Sequence, residues 1–157
     1  KAAKKNLAKN TTPFTPPVNL IFALQAALGM MQREGLENIF ARHQRLTDAT
    51  RAAVKALGLK TFAPDGNAST AVTAVDPASI GAEDIRKAMR TNFDIALAGG
   101  QDDYKGKIFR IGHLGFVHDR DVITAIAALE ATLQGLGHGD FESGAGVKAA
   151  AAVFQNA

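Results

Sequence analysis

The stretch Val18–Met31 constrains this chain more than any other. Val18, Leu20, Ile21, Phe22, Leu24, Ala27, Leu28, Met30 and Met31 are spaced so that, at 3.6 residues per turn, they fall on nearly every face of a helix. Thr15 followed by Pro16 reads as a helix start, a hydroxyl cap with proline at the first helical position. The spacing therefore predicts a helix over 16–34, buried all round. The chain has 157 residues, enough for one domain and little more, so the cover for such a helix is expected from another domain or subunit. Asn19 and Gln25 interrupt the run, and it stays short of the roughly 18 apolar residues that span a bilayer. With no secretory pattern at the start, the expected location is cytoplasmic, with no membrane partner. The first residue is Lys1 rather than Met, which is expected of a piece of something longer.

After Gly35 the apolar pattern becomes one-sided. Leu36, Ile39, Phe40, His43, Leu46, Thr47, Thr50, Val54 and Leu57 recur at three- and four-residue steps, an amphipathic stripe, with Gly58 as a left-handed stop. His43 lies on that stripe and reads as a satisfied core or interface residue. The period then shortens to that of strands: 59–62, then a Pro64-Asp65-Gly66-Asn67 turn, then 69–75. A helix over 82–93, a strand over 95–98, a polar loop over 101–106 and a strand over 107–113 follow. A strong helix over 119–136 carries Val122, Ile123, Ile126, Leu129, Leu133 and Leu136 on one face and stops at Gly137. Residues 138–157 are rich in Gly and Ala, with a weak helix over 147–154. The order of elements predicts an α/β chain whose small, mostly antiparallel sheet carries helices on one face.

Hydrophobic residues make up 46% and charged residues 21%, the balance of a folding chain. The net charge of +3 arises from Lys1, Lys4, Lys5 and Lys9. Without them fourteen basic residues face fifteen acidic ones, so the folded body has no basic face for nucleic acid. There is no Trp and a single Tyr on which bases could stack. The absence of cysteine removes disulfides, thiolate metal sites and cysteine nucleophiles from this stretch. His43, His113, His118 and His138 form no pair with close zinc spacing, and Ser69, Ser79 and Ser143 sit in no nucleophile elbow. Two features remain. Arg110 lies within the otherwise apolar strand Ile108–Ile111, where a guanidinium is costly unless paired. A salt bridge and a clamp for a carboxylate, the task arginine geometry suits, both explain it. Thr12 and Thr15 precede the apolar helix. Simple capping and an anion site at a helix N-terminus are the two readings there.

Four ordered segments bear on the choice: 10–19 (NTTPFTPPVN), 34–37 (EGLE), 94–100 (DIALAGG) and 109–115 (FRIGHLG). Together they resemble the C-terminal part of class V pyridoxal-phosphate aminotransferases of the alanine–glyoxylate and serine–glyoxylate type, over about residues 5–137. The resemblance implies the α+β small domain of a fold-type I transferase. In that layout 1–15 is an extended segment from the large domain, 16–137 the linking helix and small domain, and 138–157 a tail. It implies that Arg110 grips a substrate α-carboxylate, that Thr15 touches the cofactor phosphate across a homodimer interface, and that Thr12 stands where the family often has a tyrosine. Gly99 and Gly100 match a turn beside the active site. No catalytic residue and no metal ligand falls in the segment, because the Schiff-base lysine, the pyridine-nitrogen aspartate and the stacking aromatic lie upstream in the family.

The complete enzyme would move an amino group from an amino acid of alanine or serine type to a 2-oxo acid such as glyoxylate. The segment alone would be inactive. Some members of this branch carry an old name as the small subunit of a soluble hydrogenase. The other reading is a non-catalytic interaction domain or split-chain subunit that docks on a partner through its apolar helix.

Overall fold

The structure is a computed structural model and describes residues 1–156. It divides into two compact units, Lys1–Ile39 and the chain from Phe40 onward. This boundary differs from the expected divisions after residues 15 and 137. The tail belongs to the second unit.

In the first unit, α1 (Ala2–Leu7) stands where extended chain is expected. Ala and Lys are strong helix formers, and Asn6 Nδ2 donates back to the Ala2 carbonyl at 3.0 Å. Residues 8–17 then run without regular structure except for a turn at Asn10, whose φ is 52°. The second helix, α2 (Val18–Glu34), starts two residues later than predicted, and Pro17, not Thr15, is its N-cap. The reason is the double proline. Pro17 forces Pro16 out of the helical region, so the first helical residue comes after both rings and the Thr15 hydroxyl caps nothing. No residue of α2 is buried. Leu20 and Phe22 are 69% and 64% exposed, so the helix expected to be buried all round is uncovered within its unit. Gly35, at φ 85°, ends it.

The long α3 (Leu36–Ala56) begins in the first unit and supplies most of its length to the second. From Leu46 onward its stripe is buried as predicted, with Leu46, Thr50, Val54 and Leu57 fully enclosed, whereas Leu36 and Phe40 at its start are exposed. Four short strands follow: β1 (Lys60–Thr61), β2 (Val72–Asp76), β3 (Ala98–Gly99) and β4 (Phe109–Gly112). They pair in the order β1-β2-β4-β3, every pair antiparallel. Each is shorter than its sequence pattern, and β3 is displaced from the predicted 95–98, sharing only Ala98 with it, because the ladder with β4 begins at the Ala98–Arg110 pair. The helix α4 (Ala82–Phe93) stops at Asp94, which takes the left-handed conformation at φ 55°. The helix α5 (Asp119–Gly135) starts on a capping box between His118 and Asp121.

Val75 pairs with Phe109, and Ala74 with Arg110. Because side chains alternate across a strand, Phe109 and Ile111 enter the core with Ile85 and Met89 of α4 and Ile126, Leu129 and Leu133 of α5. The intervening Arg110 is only half-buried.

The tail folds as α6 (Ala145–Gln155), longer at both ends than predicted. Its docking residue is Glu130 of α5, 5% exposed. One carboxylate oxygen accepts the Gly144 N–H and the other the Gly146 N–H at 3.2 Å. A side chain at Gly146 would come within 3.0 Å of both Ile126 and Leu57, so glycine there permits the close approach of α6.

Candidate functional site

Arg110 sits at the centre of β4, paired with Ala74 on one side and Ala98 on the other. Its Nε donates to the Gly99 carbonyl of the edge strand at 2.9 Å. Its two terminal nitrogens make no ion pair or hydrogen bond among the described residues. The salt-bridge explanation for this residue is therefore not realised. The carbonyl fixes the plane of the guanidinium and leaves the outer fork, the bidentate face, open.

That fork borders a cleft of about 520 Å³ lined by Glu83, Arg86, Gly99, Gly100, Lys105 and Arg110. Three of these are cations and one is a carboxylate, and the carboxylate is already engaged. Glu83 pairs with Arg86 on the same face of α4, and Arg86 Nε also donates to the Leu97 carbonyl at 2.9 Å. The cleft thus presents net positive charge, the arrangement that favours a carboxylate ligand.

The two glycines at its rim are structural requirements. A Cβ on Gly100 would lie 1.9 Å from the Tyr104 carbonyl oxygen, and one on Gly99 would lie 2.9 Å from Arg86 Nη1. The first conflict is with backbone, which no rotamer change relieves.

Thr12 and Thr15 lie in the first unit, whereas Arg110 lies in the second. Both threonines are exposed. The Thr12 hydroxyl donates to the Phe14 carbonyl at 2.7 Å, closing a tight turn. The Thr15 hydroxyl makes no hydrogen bond within the described residues. A hydroxyl has one proton to donate, so Thr15 has a donor available to a phosphate oxygen and Thr12 does not in this conformation.

Sequence reasoning missed Arg86, Glu83 and Lys105 at the cleft, because they come from a helix and a loop whose approach to β4 is set only by the folded topology. It also missed the polar interior around His113. That residue continues the inward alternation of Phe109 and Ile111, a signal the strand pattern did contain. Its side chain is fully buried. Nε2 lies 2.9 Å from Thr73 Oγ1, and Nδ1 lies 3.5 Å from Thr47 Oγ1. Burial holds its pKa below the ordinary histidine value, and the nearby His43 adds to the depression. His43, read from sequence as satisfied, accepts the Gly115 N–H at 3.2 Å through Nε2. Among the described residues no group of three or more His, Asp or Glu could hold a metal ion, and no helix is long and apolar enough to cross a membrane.

No family model matches the chain. It is similar to curated proteins over nearly its whole length. A serine–glyoxylate aminotransferase of Arabidopsis thaliana is 41% identical over 92% of the chain and 36% of that protein. The solved ureidoglycine–glyoxylate aminotransferase of Bacillus subtilis superposes with a TM-score of 0.85 at 32% identity, over 94% of the chain and 38% of the solved one. Its homologues are class V aminotransferases.

A Synechococcus protein named as the small subunit of a soluble hydrogenase is 63% identical over 98% of the chain and 40% of its own length. The hydrogenase name and the aminotransferase names therefore attach to relatives that match nearly the same span. The chain covers about two fifths of the curated relatives it matches, and the antiparallel sheet with its helices is the part of the aminotransferase fold it shares with the solved structures.

Proposed function

We propose that this chain is the C-terminal, substrate-gripping part of a pyridoxal-phosphate aminotransferase that uses a 2-oxo acid such as glyoxylate as amino acceptor. The observation that carries the reading is the open fork of Arg110. A guanidinium anchored through Nε to Gly99, with both terminal nitrogens free beside a cationic cleft, is built to receive a carboxylate from outside the chain. Amino donor and 2-oxo acceptor both carry one next to the reacting carbon, so a single arginine serves both halves of the exchange by holding that carbon in register. Pyridoxal phosphate, when bound, supplies the electron sink through which the amino group passes.

Thr15 is the residue of this chain placed to donate to the cofactor phosphate, because its hydroxyl is exposed and unengaged. Thr12 could contribute only after releasing Phe14. The exposed apolar side chains of α2 call for cover from the remainder of a longer protein or from a second subunit of a homodimer, and burying each large one yields about 1.5–3 kcal/mol. The enzyme would work in the cytoplasm.

In the full-length protein, Arg110→Ala should raise KM for both the amino acid and the 2-oxo acid by about tenfold or more, the cost of a lost charge-assisted pair. Unchanged KM values for both substrates would remove the basis of the reading. Pyridoxal phosphate mixed with the 157-residue chain alone should give no specific absorbance change, and a saturable one would place the cofactor-bearing lysine in this segment.

A further inference from the structure

Three side chains meet around Gly99. A Cβ there would lie 2.9 Å from Arg86 Nη1, 3.1 Å from Arg86 Cζ and 3.3 Å from Glu83 Oε1, while the Gly99 carbonyl holds Arg110 Nε at 2.9 Å. The Arg86 guanidinium therefore rests against the backbone of the residue that orients Arg110. Arg86 also donates through Nε to the carbonyl of Leu97, immediately before β3. This strand has two residues and lies at the edge of the sheet, so a tie from α4 is a large part of what fixes it. Glu83 is the one carboxylate of the cleft, and Arg86 holds it.

We infer that Arg86 is a positioning residue for substrate binding: it braces β3 so that the Gly99 carbonyl aims Arg110, and it sequesters Glu83, the internal carboxylate that would otherwise compete with substrate for the Arg110 fork. This rests on the reading of Arg110 as the carboxylate grip. The physical reason is electrostatic competition. A carboxylate tethered in the same cleft has a high effective concentration compared with a dissolved substrate, so Arg110 stays available only while Glu83 has a cation of its own. Glycine at 99 belongs to the same device, because any side chain would push the Arg86 guanidinium away from both partners.

The test is a set of variants in the full-length, cofactor-loaded protein. Arg86→Gln should raise KM for donor and acceptor by about five- to tenfold with kcat within about twofold, the signature of lost ground-state binding. Adding Glu83→Gln to Arg86→Gln should recover the part of KM lost to competition, at least about twofold, a non-additive recovery that a purely structural role does not give, and the rise that remains measures the lost brace on β3. Arg86→Lys keeps a cation for Glu83 and loses the planar fork, so it should lie between. An NMR titration with propionate, a carboxylate with no group that can transaminate, should show the same order of affinities.

If Arg110→Lys raises KM but Arg86→Gln does not, the inference falls while the Arg110 reading stands. If Arg110→Lys also leaves KM unchanged, the underlying reading falls. A raised KM in Arg86→Gln that Glu83→Gln does not relieve overturns the competition. If Arg86→Gln does not fold, Arg86→Lys with and without Glu83→Gln gives the same comparison.

Discussion

Two charged side chains of the second unit sit at its opposite extremes of satisfaction. Glu130 is 5% exposed, and each of its oxygens accepts a backbone N–H from the start of α6. Arg110 is half-buried, bonded through Nε alone, with its terminal nitrogens unengaged. Burying a charge is costly unless it is paired, and the fold completes the pairing at Glu130 from within. At Arg110 it stops short. The difference separates a charge that closes the structure from one that opens onto a cleft, where the proposed reading places a ligand. It predicts that loss of Glu130 weakens folding and loss of Arg110 weakens binding.

The largest expected effect tests the structural half. Glu130→Leu should leave the Gly144 and Gly146 amides without their acceptor and cost about 3–5 kcal/mol of stability in urea unfolding. A loss below about 1 kcal/mol would mean that water replaces the carboxylate and that the two charges are not as different as their partners suggest.

Next comes the rim of the cleft. Gly100→Ala meets the Tyr104 carbonyl oxygen and should cost about 2–4 kcal/mol, because backbone must move. It should also raise KM through displacement of the 100–108 loop, so it is the one change expected to injure folding and binding together.

A smaller effect comes from His113. Its folded pKa lies below the ordinary 6.5, so near and below that pH the unfolded chain binds the extra proton more readily than the native one. Stability should be level above about pH 6.5, fall as the pH drops below it, and level again once the folded value is passed. Thermal melts between pH 5 and 8 of the parent and of His113→Gln should show the slope shrinking in the variant. An unchanged slope would show that His113 is not its source.

The smallest stability effect belongs to Arg110→Met, which removes one carbonyl bond and retains the apolar stem. It should change unfolding by less than about 1 kcal/mol. A loss as large as that at Glu130 would erase the comparison.

Where periodicity is long, the sequence was legible. The stripe of α3 from Leu46 onward and the apolar face of α5 up to Leu133 appear in the structure as the spacing predicts, because a one-sided pattern over several turns has few other ways to bury itself; Leu36, Phe40 and Leu136, at the ends of those patterns, are exposed. Arg110 stands out because it is a charge in an apolar strand, whereas the two glycines read only as a turn and are placed beside the site by the resemblance alone. Thr15 is no cap because Pro17 holds Pro16 out of the helical region, which outweighs the preference for proline at a first helical position and moves the start of α2 to Val18. Arg86, Glu83 and Glu130 were not legible as site or docking residues. Glu130 does lie four residues after Ile126 on the buried side of α5, but only the return of the tail shows what its carboxylate faces. The partners of Arg86 likewise depend on β3 lying outside β4, a strand order that no local pattern encodes.

That strand order also bears on how such a scaffold diversifies. β4 keeps a four-residue ladder with β2 on its inner side, whereas its outer neighbour is a two-residue strand running into the 100–108 loop. The element that carries the arginine is anchored independently of the loop that walls the cleft. Exchanges in that wall that leave Gly99 and Gly100 in place can therefore accumulate without unseating the guanidinium, so on the proposed reading one fixed grip can serve a succession of differently shaped acids.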